Sequence, residues 1–133
     1  MNVNKFISGF NANIGKINEE LIIKEINDKE DRCKVLKINE DISSVTYEVE
    51  NKLTGITIIA AGKTVEETIN IITTFSIVID TFTEQKQEWR NNILTRLGMF
   101  DSTFIAGKKT ESRGYKFKIS PANDKIILAI SKI

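Results

Sequence analysis

Apolar residues near the N-terminus fall at Phe6, Phe10, Ile14, Ile17 and Leu21, steps of three and four that line one face of a helix. The spacing predicts an amphipathic helix from residue 3 to about residue 20. Gly9 and Gly15 inside it each weaken it by about 1 kcal/mol relative to alanine, so packing must hold it. The following run, ELIIKEINDKEDR, reads as a short strand through Leu21 to Glu25 and then a charged turn. From there the period shortens to two. RCKVLKI, SVTYEVE and GITIIAA are rich in β-branched and aromatic residues, and Val45, Tyr47 and Val49 alternate with Thr46, Glu48 and Glu50. The alternation assigns the first set to a dry face and the second to water, as in an antiparallel sheet covered on one side. NEDIS and NKLTG are short enough to be hairpin connections.

At Thr64 the pattern changes again. Val65, Ile72, Ile79 and Ile93, together with Phe75, Phe82 and Trp89, recur at multiples of seven, and neither glycine nor proline occurs from Thr64 to Leu97. The β-branched content favours a strand, but period and capping favour a helix. A continuous helix here would be about 50 Å long, against a radius of gyration of roughly 14 Å for a domain of this size. It must therefore kink or break near Thr81 to Thr83, or pack its far end on a second chain. Ile71, Ile77 and Val78 lie off the main stripe, so the helix needs cover on nearly all sides, and a homodimer through it is one way to supply that cover. Arg96 and Gly98 mark its end. DSTFIAG, GYKFKIS and DKIILAIS read as three more strands, with SPAND as a hairpin turn. The expected fold is α+β: an antiparallel sheet of about five to six strands packed on one long helix, straight or kinked, with the N-terminal amphipathic helix over a second side. Residues 1–133 are expected to form a single domain.

Composition narrows the function classes. The chain is 41% hydrophobic, enough for one core without staples, and its net charge of +1 supplies no global field toward nucleic acid or membrane. The single cysteine, Cys33, has no internal partner, which favours a reducing, cytoplasmic location. Ser8, Asn11 and Asn13 interrupt the N-terminal apolar residues before a secretion signal could form, and the apolar-rich run Ile69 to Phe82 is too short and too polar to span a bilayer. The abundance of Ile, Lys and Asn matches AT-rich codons, pointing to a low-GC bacterium or its mobile elements.

The stretch ITIIAAGKTVEET looks like a nucleotide-binding loop. The phosphate cradle of G-x-x-x-x-G-K-S/T needs its first glycine at position 57, where the chain has Thr57. Thr64 and Glu67 instead form a T-x-x-E capping box, with Gly62 as the joint between strand and helix. FSIVID, ending at Asp80, follows too closely to be the magnesium-holding strand of such an enzyme. The chain has no histidine, which removes the commonest general base, the Ser-His-Asp and Cys-His arrangements and most zinc sites. Glu48 and Glu50 read as the wet side of a strand, and Glu25, Asp28, Glu30 and Asp31 lack calcium-loop spacing. Cys33 is expected in the core. No cofactor and no metal are expected, and the protein is expected not to be an enzyme.

The run GKKTESRGYKFKIS carries the remaining signal, because Lys108, Lys109, Arg113, Lys116 and Lys118 face only Glu111. Tyr115 and Phe117 fall on one strand face and Lys116 and Lys118 on the other. RGYKF partly resembles the RNA-recognition signature of a basic residue, glycine, an aromatic, a small residue and an aromatic, which would stack unpaired bases on its rings. Lys116 stands where the small residue belongs, Lys118 replaces the next valine and Ser120 the final aromatic. The expected function is a small non-enzymatic accessory protein that binds a protein partner. Its contact residues are expected to be Lys108, Lys109 and Arg113, at a mobile hairpin tip AGKKTESRG, with Tyr115, Lys116, Phe117 and Lys118 on the strand that follows. The alternatives are a single-stranded nucleic-acid module using the 107–118 hairpin, and an apolar-ligand or lipid carrier with a cavity between helix and sheet.

Overall fold

The computed structural model describes residues 1–30, 32–85, 87–101 and 106–133, Glu30 through its backbone alone. In chain order the elements are α1 (Val3–Gly15), a 3-10 turn at Glu19–Leu21, β1 (Glu25–Glu30), β2 (Cys33–Lys37), β3 (Ile42–Val49), β4 (Lys52–Ala61), α2 (Val65–Thr83), α3 (Gln87–Arg96), β5 (Lys108–Ser112), β6 (Tyr115–Ala122) and β7 (Lys125–Lys132). The strands form one seven-stranded sheet in the order β1-β2-β3-β4-β7-β6-β5, every neighbouring pair antiparallel. Two meanders, β1 to β4 and β5 to β7, thus meet at the central pair β4–β7. The helices α2 and α3 carry the chain from the middle of the sheet to its far edge.

The α+β class and the antiparallel sheet agree with the sequence reading, and several elements do not. The sheet has seven strands instead of five or six, because β5 forms where a hairpin tip was expected and β1 forms from the supposed charged turn. The expected strand DSTFIAG falls largely on residues 102–105, outside the described residues. The first helix ends at Gly15, and Ile17, counted in its apolar face, is 61% exposed. The long helix is two helices. α2 stops at Glu84, whose φ of 55° is left-handed, and α3 turns back so that Trp89 and Ile93 also reach the core. The heptad spacing survived this break because both helices face the same core.

At the start of α2 the capping box forms in a shifted version: Thr64 Oγ1 accepts from the N–H of Glu67 at 3.1 Å, and the Glu67 carboxylate accepts from the N–H of Lys63, one residue before the cap, at 3.0 Å. A Cβ on Gly62 would lie 2.9 Å from Glu67 Cβ and 3.0 Å from Ile71 Cδ1, so glycine lets α2 fold tightly onto the strand it leaves. Residues Thr74 to Ile79 of α2 are all buried, whereas Val65 and Ile69 in its first turns are exposed, so the cover expected on nearly all sides is absent from the start of the helix. α1 packs along one side of α2, α3 along another and β4 beneath it. Gly9 permits the first approach: a Cβ there would sit 3.2 Å from Thr81 Cγ2. The cover that the sequence could have drawn from a second chain comes from the same chain. Ser76 and Thr83 satisfy their hydroxyls on the carbonyls four residues back, at 2.7 and 2.6 Å.

All three helices lie on one face of the sheet. Following the cross-strand partners, two rows on that face read Leu36, Ser44, Ile58, Leu128, Ile119 and Lys34, Thr46, Ile56, Ile130, Phe117. Apart from Lys34 at the β2 end, every member of these rows is buried. Strand β3 is therefore inverted relative to its alternation: Ser44 and Thr46 point into the core, while Val45 is half-buried and Tyr47 and Val49 are 42% and 48% exposed on the other side. A bulge causes the inversion. The turn Glu50–Asn51, with both φ angles positive, sets Val49 opposite Lys52 and Glu48 opposite Leu53. Continued unbroken, that register would place Val45 opposite Ile56 and in the core. Thr54 is instead left without a partner, so Tyr47 meets Gly55 and Val45 meets Thr57, and every side chain before the bulge changes face. Thr54 Oγ1 holds the irregularity by donating to the Tyr47 carbonyl at 3.2 Å.

The inversion has a direct test in chemical denaturation. Thr46→Lys is expected to cost about 3 kcal/mol or more by burying an unpaired charge, while Val45→Lys one residue earlier costs less than about 1 kcal/mol. Equal costs at the two positions would refute the register.

Candidate partner-binding face

The face of the sheet opposite the helices carries the rows Cys33, Tyr47, Gly55, Ser131, Lys116, Glu111 and Val35, Val45, Thr57, Ala129, Lys118, Lys109, with Lys37, Ser43, Ile59, Ile127, Ser120 beyond them. β4 and β7 thus present apolar or small residues on both faces. Ile59, Ile127 and Ala129 on this face are half-buried. Tyr47 leans across Gly55, where an added Cβ would lie 3.7 Å from its ring. The result is an apolar strip over the centre of the sheet, bounded on one side by Val45 and Tyr47.

The other boundary is cationic. Lys109 and Lys118 are direct cross-strand partners, and Lys116 lies on the same face opposite Glu111. Like charges placed directly opposite destabilise a strand pair. Lys37, at the far side of the face, is paired with Glu40 at 3.2 Å, but Lys109, Lys116 and Lys118 have no ion-pair partner among the described residues. Together with Ala129 and Ser131 they border an open depression of about 520 Å³.

Of the residues singled out in the sequence, the fold brings Lys109, Lys116 and Lys118 together and separates the others. Lys108 stands on the helix side of edge strand β5, opposite Ile119. Arg113 occupies the left-handed first position of the β5–β6 turn, with a φ of 51°. Its guanidinium stacks 5.4 Å from the centre of the Trp89 ring and donates to Gln85 Oε1 at 2.7 Å, while the Trp89 indole donates to Ser112 Oγ at 3.0 Å. The supposed mobile tip is an edge strand ending in a turn fastened to α3.

Phe117 is 1% exposed and meets Trp89 edge-on at 5.8 Å. Tyr115 is half-buried, edge-on to Phe82 at 5.6 Å, and its phenol is pushed above its ordinary range by burial and then by Glu84. Phe117 is thus unavailable for stacking on a base, which removes the ring pair that the RNA-binding resemblance requires. The space between α2 and the sheet, where an apolar ligand would sit, holds the packed side chains of Phe75, Ile56, Ile58 and Leu128, members of one continuous core cluster.

Cys33 lies half-buried on the open face opposite Tyr47, instead of in the core. Among the described residues no group of His, Cys, Asp and Glu side chains converges to hold a metal ion, and no helix is long and apolar enough to cross a membrane. Alternation alone does not mark Val45, Tyr47, Thr57, Ile59 and Ala129 as residues of an open face. The available signal was in GITIIAA and KIILAIS, which are apolar at both phases of the strand period and so must place apolar groups on both faces. No protein-family model matches the chain, nor does any curated protein or solved structure.

Proposed function

We propose that this chain is a non-enzymatic binding protein and that its protein partner lies across the open face of the sheet. The observation that supports this reading is the side on which β3 displays Val45, Tyr47 and Val49 while it buries Ser44 and Thr46. Contiguous exposed apolar area rimmed by polar groups is characteristic of association surfaces. An aromatic at its edge and lysines along one border match the composition of a protein interface with a polar rim. The partner-binding residues are then Lys109, Lys116 and Lys118 from the basic strands, joined by Val45, Tyr47, Ile59 and Ala129.

Site-specific photo-crosslinking in the cells that naturally produce the chain tests this reading. Benzoylphenylalanine at position 45 or 57 is expected to give a discrete protein adduct, and at position 66 on α2 it is expected to give none. Tyr47→Ala should lower the adduct yield at position 57 by about tenfold, the effect of losing one interface anchor, while the thermal midpoint stays within a few degrees. Equal labelling at positions 57 and 66 would defeat the proposal.

A further inference from the structure

The dimensions of the open face specify what kind of partner segment it accepts. Between the Val45–Tyr47 border on β3 and the Lys116–Lys118 border on β6 lie β4 and β7, floored by Thr57, Ala129 and Ser131. Three inter-strand spacings of about 4.8 Å set those borders about 14 Å apart. An α-helix with its side chains is about 10 to 12 Å across. Along the strands, Gly55 to Ile59 spans about 13 Å at 3.3 Å per residue, or two to three helical turns, with the Tyr47 ring over Gly55 closing one end.

The charges match the same object. Lys116 and Lys118, two residues apart on one strand face, are separated by about 6.7 Å, and residues four apart on a helix rise by about 6 Å. A helix lying along β4 and β7 would present acidic residues at i and i+4 to both lysines, with Lys109 directly beyond Lys118. Its apolar residues would meet Thr57, Ile59, Ile127 and Ala129. Such a ligand relieves the repulsion between Lys109 and Lys118 that the free protein carries. An extended peptide would find no free backbone groups in the middle of a fully paired sheet.

Resting on the reading of the open face as the partner surface, we infer that its occupant is an amphipathic helix of the partner protein, two to three turns long, with carboxylates four residues apart on one flank. The test places benzoylphenylalanine at Ala129, on the floor, in the natural host and sequences the crosslinked segment by mass spectrometry. That segment is then synthesised and titrated against the unmodified protein. The expected result is a segment with apolar residues at helical spacing and an acidic i, i+4 pair. Helicity should appear on binding, affinity should fall at least tenfold with Lys116→Glu/Lys118→Glu, and exchange of the peptide's acidic pair for lysine should restore it. If position 129 labels a segment that is extended, or that lacks the acidic flank, the helix is refuted while the open face stands as the binding surface. A nucleic acid, a lipid or a second copy of this chain in the adduct overturns the inference. If neither position 129 nor position 57 labels above position 66, the face itself is not the interface.

Discussion

Phe75→Ala is expected to remove about 3 to 5 kcal/mol of stability, a large part of the roughly 5 to 15 kcal/mol that holds a domain together. Phe75 has no exposure and belongs to the continuously buried run Thr74 to Ile79 of α2, which has helices to either side and β4 beneath. Deleting a ring there loses its transfer free energy and leaves a cavity that close-packed neighbours cannot fill. For a chain of this length each kcal/mol shifts the thermal midpoint by roughly 3 to 5 °C, so the variant should melt at least about 10 °C lower or lose its cooperative transition. Ile69→Ala, six residues earlier on the same helix but 56% exposed, should stay within about 0.5 kcal/mol. Circular dichroism of both variants decides the matter, and a Phe75→Ala cost below about 1 kcal/mol would contradict the placement of α2.

The second large effect is expected at the joint between α2 and α3. Arg90 Nη2 lies 3.3 Å from Asp80 Oδ2, the two side chains being 14% and 21% exposed, and the buried atoms Asp80 Oδ1 and Arg90 Nε have no hydrogen-bond partner among the described residues. Burial raises the Asp80 carboxyl above its ordinary value of 3.8, and the Arg90 charge only partly opposes this. A raised carboxyl pKa means that the fold holds the Asp80 proton more tightly than the unfolded chain does. Stability from this group is therefore greatest below pH 3.8 and falls as pH rises from there through the raised value. The two partners then differ in their response to mutation. Asp80→Asn removes a charge whose burial is unfavourable but leaves Arg90 without its counter-charge, so its cost at pH 7 should be smaller than that of Arg90→Met. Arg90→Met leaves the Asp80 charge uncompensated and should cost about 2 kcal/mol, less than for a fully buried pair because water reaches part of it. Denaturant titrations of Arg90→Met should show that cost shrinking toward acid as Asp80 takes up its proton. Asp80→Asn/Arg90→Met should recover most of it at every pH. A cost for Arg90→Met that does not change with pH would exclude the carboxylate as its origin.

The same residues show how far local sequence signals reach. The period-two runs announced an antiparallel sheet, and the T-x-x-E box together with Gly62 announced the strand-to-helix joint that replaces a nucleotide loop. These are local properties, decided within a few residues. The strands β1 and β5 were illegible because EINDKE and KKTES carry charged edge-strand sequences, which look like turns until a neighbouring strand is known to pair with them. Helix length against domain size called for a break near Thr81 to Thr83, but no glycine or proline marks the spot, and only the return of α3 onto the core fixes it at Glu84.

The candidate site was legible in part. Lys116 and Lys118 of β6 could be placed on one face by alternation, since a strand's side-chain phase follows from its residue numbers, whereas Lys109 joins them only through the pairing of β5 with β6. Alternation also sets Tyr115 and Phe117 on the face opposite those lysines, but their ring contacts and the stacking of Arg113 depend on Phe82 and Trp89, more than twenty residues away in the chain.

By itself the sequence determined the secondary-structure class, the capped joint, the absence of histidine chemistry and the local excess of cations. Which side of the sheet the helices would cover was decided by tertiary structure. Alternation in β3 distinguishes two faces but cannot say which one is buried, and the unpaired Thr54 reverses the choice by shifting the register of β3 against β4 by one residue. The fold accepts Ser44 and Thr46 inside because Leu36, Ile56 and Ile58 beside them supply the apolar contacts, leaving Val45 and Tyr47 on the open face.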